Sequence, residues 1–200
     1  NVILEASSHG LKQNRLNGLN FKTALFTNLS HDHLDYHKNF KNYLNAKLYL
    51  FKKLLNKKSN IITDITIPEY KKIKKISLRN KLNLKTIGVG KGDLNIITHE
   101  YVGEKQVIKI KYKNNFYNFE TNLIGKIQIK NLLMAMIAAE KSNIDFKNIV
   151  NVISKVNPVS GRLEKIGRIR NNSKIILDYA HTPDALKTCL QNLKDQFKNK

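Results

Sequence analysis

Acids, imidazoles and small polar residues bunch twice near the start of this chain. The first run is Glu5-Ala6-Ser7-Ser8-His9-Gly10-Leu11; the second is Thr27-Asn28-Leu29-Ser30-His31-Asp32-His33-Leu34-Asp35-Tyr36-His37. Glu5 and His33 are natural ligands for a divalent cation: carboxylate oxygen suits hard magnesium, and imidazole can complete the shell. Either alone is an ordinary surface or capping residue; the two together, beside Asp32 and Asp35, favour a site. Ser7 and Ser8 belong to the first run, and Gln13 and Arg15 stand just after it. Hydroxyls and an arginine in such a loop suit phosphate or carboxylate recognition, although turn chemistry and a surface arginine account for each residue alone.

A third feature is a misplaced cation. Phe40, Tyr43, Leu44, Leu48, Phe51, Leu54 and Leu55 follow helical spacing and predict a helix from Phe40 to Leu55. At about 100° per residue, Lys47 falls near the centre of that apolar stripe, whereas Lys52, Lys53 and Lys57 fall off it. Burying an unpaired ammonium is costly, so Lys47 needs a reason. It snorkels to water, it pairs with Asp32 or Asp35, or desolvation holds it as a neutral amine that has added carbon dioxide. The last would make it a carbamate, a carboxylate on a long stem.

The elements that must position these groups read as α/β. Val2–Leu4 and Ala24–Thr27 are short apolar runs of the kind found in buried parallel strands, each ending in a polar cluster. Ligands of open α/β sheets bind at such strand ends. Ile61–Thr63 and Thr86–Val89 read as further strands, and Gly88–Asp93 as a turn, since it lacks the Gly-Lys-Ser/Thr ending of a phosphate loop. Gln106–Tyr112 and Phe116–Phe119 flank Asn114-Asn115 and predict an antiparallel hairpin added to the core. Gln128–Ser142 and Asp145–Ser154 read as helices, with Asn143 a stop for the first and Asn131 near its start. Asn157-Pro-Val-Ser-Gly-Arg162 breaks the pattern. A strand at Ile175–Leu177 and a helix begun by Thr182-Pro183 come after it. The expected domains are therefore 1–160 and 161–200, the second only begun.

Composition narrows the class. The 200 residues carry 36 Lys and Arg against 15 Asp and Glu, a formal charge of +21. That invites a nucleic-acid reading. However, the lysines are spread along the whole chain among asparagines, and no basic cluster carries interleaved aromatics, so a solvated lysine-rich surface is the better account and no nucleic acid is expected. One cysteine excludes an internal disulfide and suits a reducing compartment. No apolar run is long enough for a bilayer, and a cytoplasmic monomer without membrane contact is expected. Both ends look cut, as in a piece of a longer protein.

Together these residues resemble the Mur ligases. The signature is Glu5-Ala-Ser-Ser-His-Gly-Leu with Gln13 and Arg15, then Phe26-Thr-Asn-Leu-Ser, Asp32-His-Leu-Asp-Tyr-His37 and Ala46-Lys47. Later come Asn131-Leu-Leu, Pro158-Val-Ser-Gly-Arg-Leu-Glu164 and Asp178-Tyr-Ala-His-Thr-Pro-Asp-Ala-Leu186. The Ser-Ser-His-Gly-Leu and Asp-Tyr-Ala-His-Thr-Pro runs point to the branch that adds the third amino acid of the peptidoglycan stem, rather than to sister enzymes such as folylpolyglutamate synthetase. The resemblance implies a mostly parallel central ATPase domain followed by the start of a Rossmann-like domain. It implies ATP and magnesium as cofactors, and a UDP-N-acetylmuramoyl dipeptide and an amino acid as substrates, joined through an acyl phosphate. By the same resemblance Glu5, His33 and a carbamoylated Lys47 hold magnesium and serve catalysis, and Ser7, Gln13 and Arg15 hold the UDP-muramoyl peptide. Asn131, Arg162, Asp178 and His181 lie at the nucleotide. Ile127 and Gln128 depart from the family, which commonly has an aromatic and then Asn there. The phosphate loop, the uridine domain and the amino-acid pocket are outside the sequence, so this piece alone is expected to be inactive.

Overall fold

The structure is a computed structural model and describes residues 2–30 and 32–197; His31 of the second polar run lies outside them. The chain divides into two compact units, Asn1–Thr86 and Ile87–Lys200. The first contains α1 (Ser8–Lys12), β1 (Phe21–Phe26), α2 (Leu34–His37), α3 (Phe40–Tyr49), a π-wound stretch (Leu50–Leu54), β2 (Leu55–Asp64) and α4 (Tyr70–Arg79). β1 and β2 run parallel, with Thr23 opposite Asn60 and Phe26 opposite Thr63. Asn39 starts α3, its side chain accepting from the Asn42 N–H at 2.9 Å. Tyr43, Leu44, Leu48 and Phe51 repeat at helical spacing and are buried. Leu44, Leu48 and Phe51 pack with Ala24, Phe26, Leu55, Ile61, Ile73 and Leu82 into this unit's core.

The chain passes from the first unit into the second along β3 (Asn83–Val89). β4 (Leu94–Val102) runs parallel to β3, with Ile87 opposite Leu94. So short a parallel link is unusual, since such connections ordinarily take a dozen residues. Gly90 and Gly92, at φ +70° and +109°, turn the chain back where a Cβ would be strained. β5 (Lys105–Tyr112) and β6 (Asn115–Thr121) then add antiparallel strands in succession. α5 (Lys126–Glu140), α6 (Phe146–Val152), an antiparallel pair β7 (Glu164–Arg168) and β8 (Lys174–Leu177), and α7 (Pro183–Gln196) complete the unit. The architecture is the expected one: α/β, parallel pairing, an antiparallel addition, and a second small sheet near the end.

Several local expectations need correction. Val2–Leu4 is not a strand: it pairs with no strand among the described residues, and Val2 and Ile3 are exposed. A strand exists by its ladder, and an apolar run alone does not supply one. The helix over Lys47 stops being α-helical at Tyr49, widens through Leu54 and enters β2 directly. The hairpin turn is Lys113-Asn114, one residue earlier than expected, because these two adopt positive φ and Asn115 pairs with Tyr112. α5 begins at Lys126, so Asn131 sits in its second turn and caps nothing. α4, β4 and β7 are elements that the sequence pattern does not announce.

Candidate active site

In the first unit the Ser-Ser-His-Gly run builds a short helix. Ser7 is its N-cap, the hydroxyl accepting from the Gly10 N–H at 3.1 Å, and Leu11 anchors it in the core. After β1 the second polar run reaches α2, a single turn flanked by two non-glycine residues in left-handed conformation, His33 (φ +56°) and Lys38 (φ +68°). His37 is the one buried residue of that turn. Its Nε2 lies 2.9 Å from the Ser8 hydroxyl, its ring stacks on Tyr43 at 5.1 Å, and its carbonyl accepts from the Asn42 amide. Burial, with the charges of His9, Lys12 and His33, lowers the His37 pKa against the opposing pull of Asp35. The Asp32 carboxylate accepts from the His33 N–H at 2.7 Å and lies 3.5 Å from its Nδ1. The His9 ring is 5.0 Å from the His33 ring and 4.1 Å from that of Tyr36. Gln13 donates to the Tyr36 hydroxyl at 3.1 Å. Ser7, Gln13 and His33 thus sit on one pair of adjoining turns; Arg15 is exposed, its N–H bonded to the Gly10 carbonyl.

Lys47 is half-buried, its ammonium 5.4 Å from the Tyr43 ring centre. Burial pushes its pKa down, against the pull of Glu5 and Asp32. Among the described residues no carboxylate lies within ion-pair distance of that amine, so pairing with Asp32 or Asp35 does not explain its position. Nor do three His, Cys, Asp or Glu side chains among the described residues converge as a ready cation cage. The donor chemistry nevertheless fits a hard divalent ion: Glu5 and Asp32 both act on the Lys47 amine, and His33 adjoins Asp32.

The second unit holds the remaining candidates. Asn131 is on the exposed face of α5. Gly161 turns at φ +71°, and the Glu164 carboxylate accepts from the Gly161 N–H (2.8 Å) and the Ser160 hydroxyl (3.1 Å). Leu163 adopts a left-handed conformation despite its bulk, buried, with its N–H on the Asp178 carboxylate at 2.9 Å. The Arg162 guanidinium lies over the Tyr179 ring at 5.1 Å, and its carbonyl accepts from Gln128 at 2.9 Å. His181 is exposed, with Nδ1 2.9 Å from the Tyr179 carbonyl. It stands just before Thr182, whose hydroxyl caps α7 at Ala185. Arg162 and Asp178 are therefore brought together, and His181 adjoins them in sequence.

Residues 1–139 match the Mur ligase middle domain and residues 161–200 the Mur ligase glutamate ligase domain. This chain belongs to the Mur ligase family. It is 40% identical over 194 residues to a UDP-N-acetylmuramoyl-L-alanyl-D-glutamate--2,6-diaminopimelate ligase of Rickettsia bellii, covering 97% of this chain and 40% of that protein. The like-named enzyme of Wigglesworthia glossinidia brevipalpis is 38% identical over 207 residues, covering 98% and 40%. A solved structure of a ligase with the same name superposes with TM-score 0.81 at 31% identity, covering 98% of this chain and 40% of that one. This Mur ligase chain thus spans about two fifths of the length of the relatives it matches. Spacing does not single out His37, Tyr43, Gln128, Glu164 and Tyr179. His37 stands in a polar run and Tyr43 in an apolar stripe, and only the structure places the two rings face to face.

Proposed function

We propose that this chain is the central part, and the start of the carboxyl-terminal part, of a cytoplasmic, monomeric, ATP-dependent ligase. The enzyme adds diaminopimelate as the third residue to UDP-N-acetylmuramoyl-L-alanyl-D-glutamate. The names of relatives near 40% identity support the substrates, and the family matches that end at 139 and begin at 161 support a domain boundary near 161. One free cysteine and the lack of any membrane-spanning helix among the described residues agree with a cytoplasmic setting. The observation that carries the reading is the half-buried Lys47 amine, with no carboxylate in ion-pair distance among the described residues yet within the field of Glu5 and Asp32, in a chain of this family. A lysine whose pKa is depressed by burial holds more neutral amine. Its nitrogen attacks carbon dioxide, loses one proton and becomes an N-linked carboxylate. Glu5, His33 and this carbamate would then hold magnesium. When bound, magnesium neutralises the crowded oxyanions of the ATP phosphates and the activated substrate carboxylate.

The chain's own groups do the rest. Ser7, Gln13 and Arg15 hold the muramoyl peptide so that its terminal carboxylate meets the γ-phosphate. Arg162 reaches a phosphate, Asp178 offers its second oxygen to the ribose hydroxyls, and Asn131 and His181 border the adenine nucleotide. The amine of the incoming amino acid attacks the acyl phosphate carbon, the tetrahedral intermediate collapses, and phosphate leaves. In the full-length enzyme, Lys47→Ala is expected to abolish ligation. Bicarbonate will not restore it, and acetate will restore part, by standing in for the carbamate. Near-normal turnover of Lys47→Ala without acetate would refute the carbamate.

A further inference from the structure

The one-turn helix α2 has a backbone that local forces do not favour. It is entered through His33 and left through Lys38, both left-handed. Such residues cost free energy unless their surroundings over-determine them, and they cluster at functional sites. A four-residue helix cannot hold itself together, so tertiary contact must do so. Only one of its side chains is buried: His37, fully enclosed. That ring ties three elements together. Its Nε2 lies 2.9 Å from Ser8 in α1, one face stacks on Tyr43 in α3 with planes 19° apart, and its own carbonyl is bonded by Asn42. Both ends of the tie lead to the proposed metal site. His33 stands one turn before His37, and Lys47 stands one turn after Tyr43, with its ammonium 5.4 Å from that ring.

We infer that His37 is a positioning residue: its buried ring, bonded to Ser8 and stacked on Tyr43, fixes the strained turn that presents His33 and the aromatic face that seats Lys47. It touches neither substrate nor metal; it acts through its neighbours. This rests on the ligase reading above, and the test separates the two.

The experiment uses the full-length ligase containing this chain and compares wild type, His37→Phe and His37→Ala. Phenylalanine keeps the burial and the stack and loses the bond to Ser8; alanine loses both. Mn2+ binding in the presence of a non-hydrolysable ATP analogue is followed by electron paramagnetic resonance, beside ligation kinetics. His37→Ala should weaken Mn2+ binding by about tenfold and lower kcat by about 10–100-fold, the range found when a group supporting a metal ligand is removed. KM for ATP should stay within about threefold, since the residue does not touch the nucleotide. His37→Phe should fall between alanine and wild type on both measures. Circular dichroism and thermal melting establish that each variant is folded. If alanine does not fold, the phenylalanine variant decides. A folded variant of either kind that keeps Mn2+ affinity and kcat within about twofold of wild type would overturn the role of His37. A wild type that neither ligates nor binds Mn2+ would instead overturn the ligase reading.

Discussion

Gly125→Ala places one methyl group where the second unit has no room for it. Gly125 is the N-cap of α5, at φ +84° and ψ +148°, a region that only glycine adopts cheaply; there, a side chain costs about 1–3 kcal/mol. A Cβ would also stand 2.8 Å from both Cβ and Oδ1 of Asn192 in α7. The Asn192 Cβ is fixed by its own backbone, so the neighbour cannot relieve the clash by swinging its tip aside. Moving Asn192 breaks its acceptance of the Ile127 N–H at 3.2 Å, and shifting the Gly125 backbone breaks the 2.7 Å bond from its N–H to Gln196. These side chains cap α5 from another helix, and a lost cap costs about 1 kcal/mol. The sum is about 2–4 kcal/mol, a large share of the roughly 5–15 kcal/mol that holds a protein folded. Urea unfolding of wild type and variant at one pH measures it, and calorimetry should show a melting point lowered by roughly 5–15 °C. Asn192→Ala alone, which removes a cap and creates no clash, should cost about 1 kcal/mol. If Gly125→Ala stays within about 0.5 kcal/mol of wild type, the close approach of α7 to α5 is not as described.

Glu104, in the β4–β5 turn, accepts from Lys165 and Arg168 at 2.6 Å each and lies 3.3 Å from Lys174. The Lys165 hydrogen bond is the main reason its carboxyl is held down to about 2 from an ordinary 4.5, with Lys174 helping and desolvation opposing. A carboxylate lowered on folding stabilises above its unfolded pKa and loses that effect as pH falls toward the folded one. The melting-point gap between wild type and Glu104→Gln should therefore be full near neutrality and close between pH 4.5 and about 2. Because the carboxylate is partly open to solvent, roughly molar salt should also shrink the gap; an equal gap at both pH extremes would contradict this. Thr182→Ala removes the hydroxyl that caps α7 at Ala185 and should lower stability by about 1 kcal/mol in urea unfolding, with Thr182→Ser close to wild type.

The legible and the hidden parts of this fold obey different physics. Lys47 can be found because helical spacing is a local rule, and the structure keeps it half-buried among Tyr43, Leu44 and Leu48. The Thr182-Pro183 start of α7 is equally local, a hydroxyl and a preset φ. The hairpin is legible but its turn lies one residue earlier than its asparagines suggest, since Lys113 accepts positive φ without advertising it. Val2–Leu4 misleads because pairing is a property of two segments and the composition of one does not report it. α4 escapes notice because six of its ten residues are Lys, Arg or Ser, with Ile73 and Ser77 its buried positions. His37 is legible as a residue and illegible as a device: Ser8 and Tyr43, its partners, are 29 residues before it and 6 after.

The wide winding of Leu50–Leu54 leaves no loop between α3 and β2, so the distance from Lys47 to the sheet is counted in residues and has no slack. A π turn closes its hydrogen bonds one residue later than an α turn. Adding a single residue between Lys47 and this stretch would rotate everything upstream by about 100° against a strand that cannot follow. Leu44 and Leu48 would swing out of the hydrophobic interior, and Lys47 would leave with them. Substitutions along this stretch are survivable at Lys52 and Lys53, which point to solvent. What a natural or engineered homologue must preserve is the angle between Lys47 and the strand.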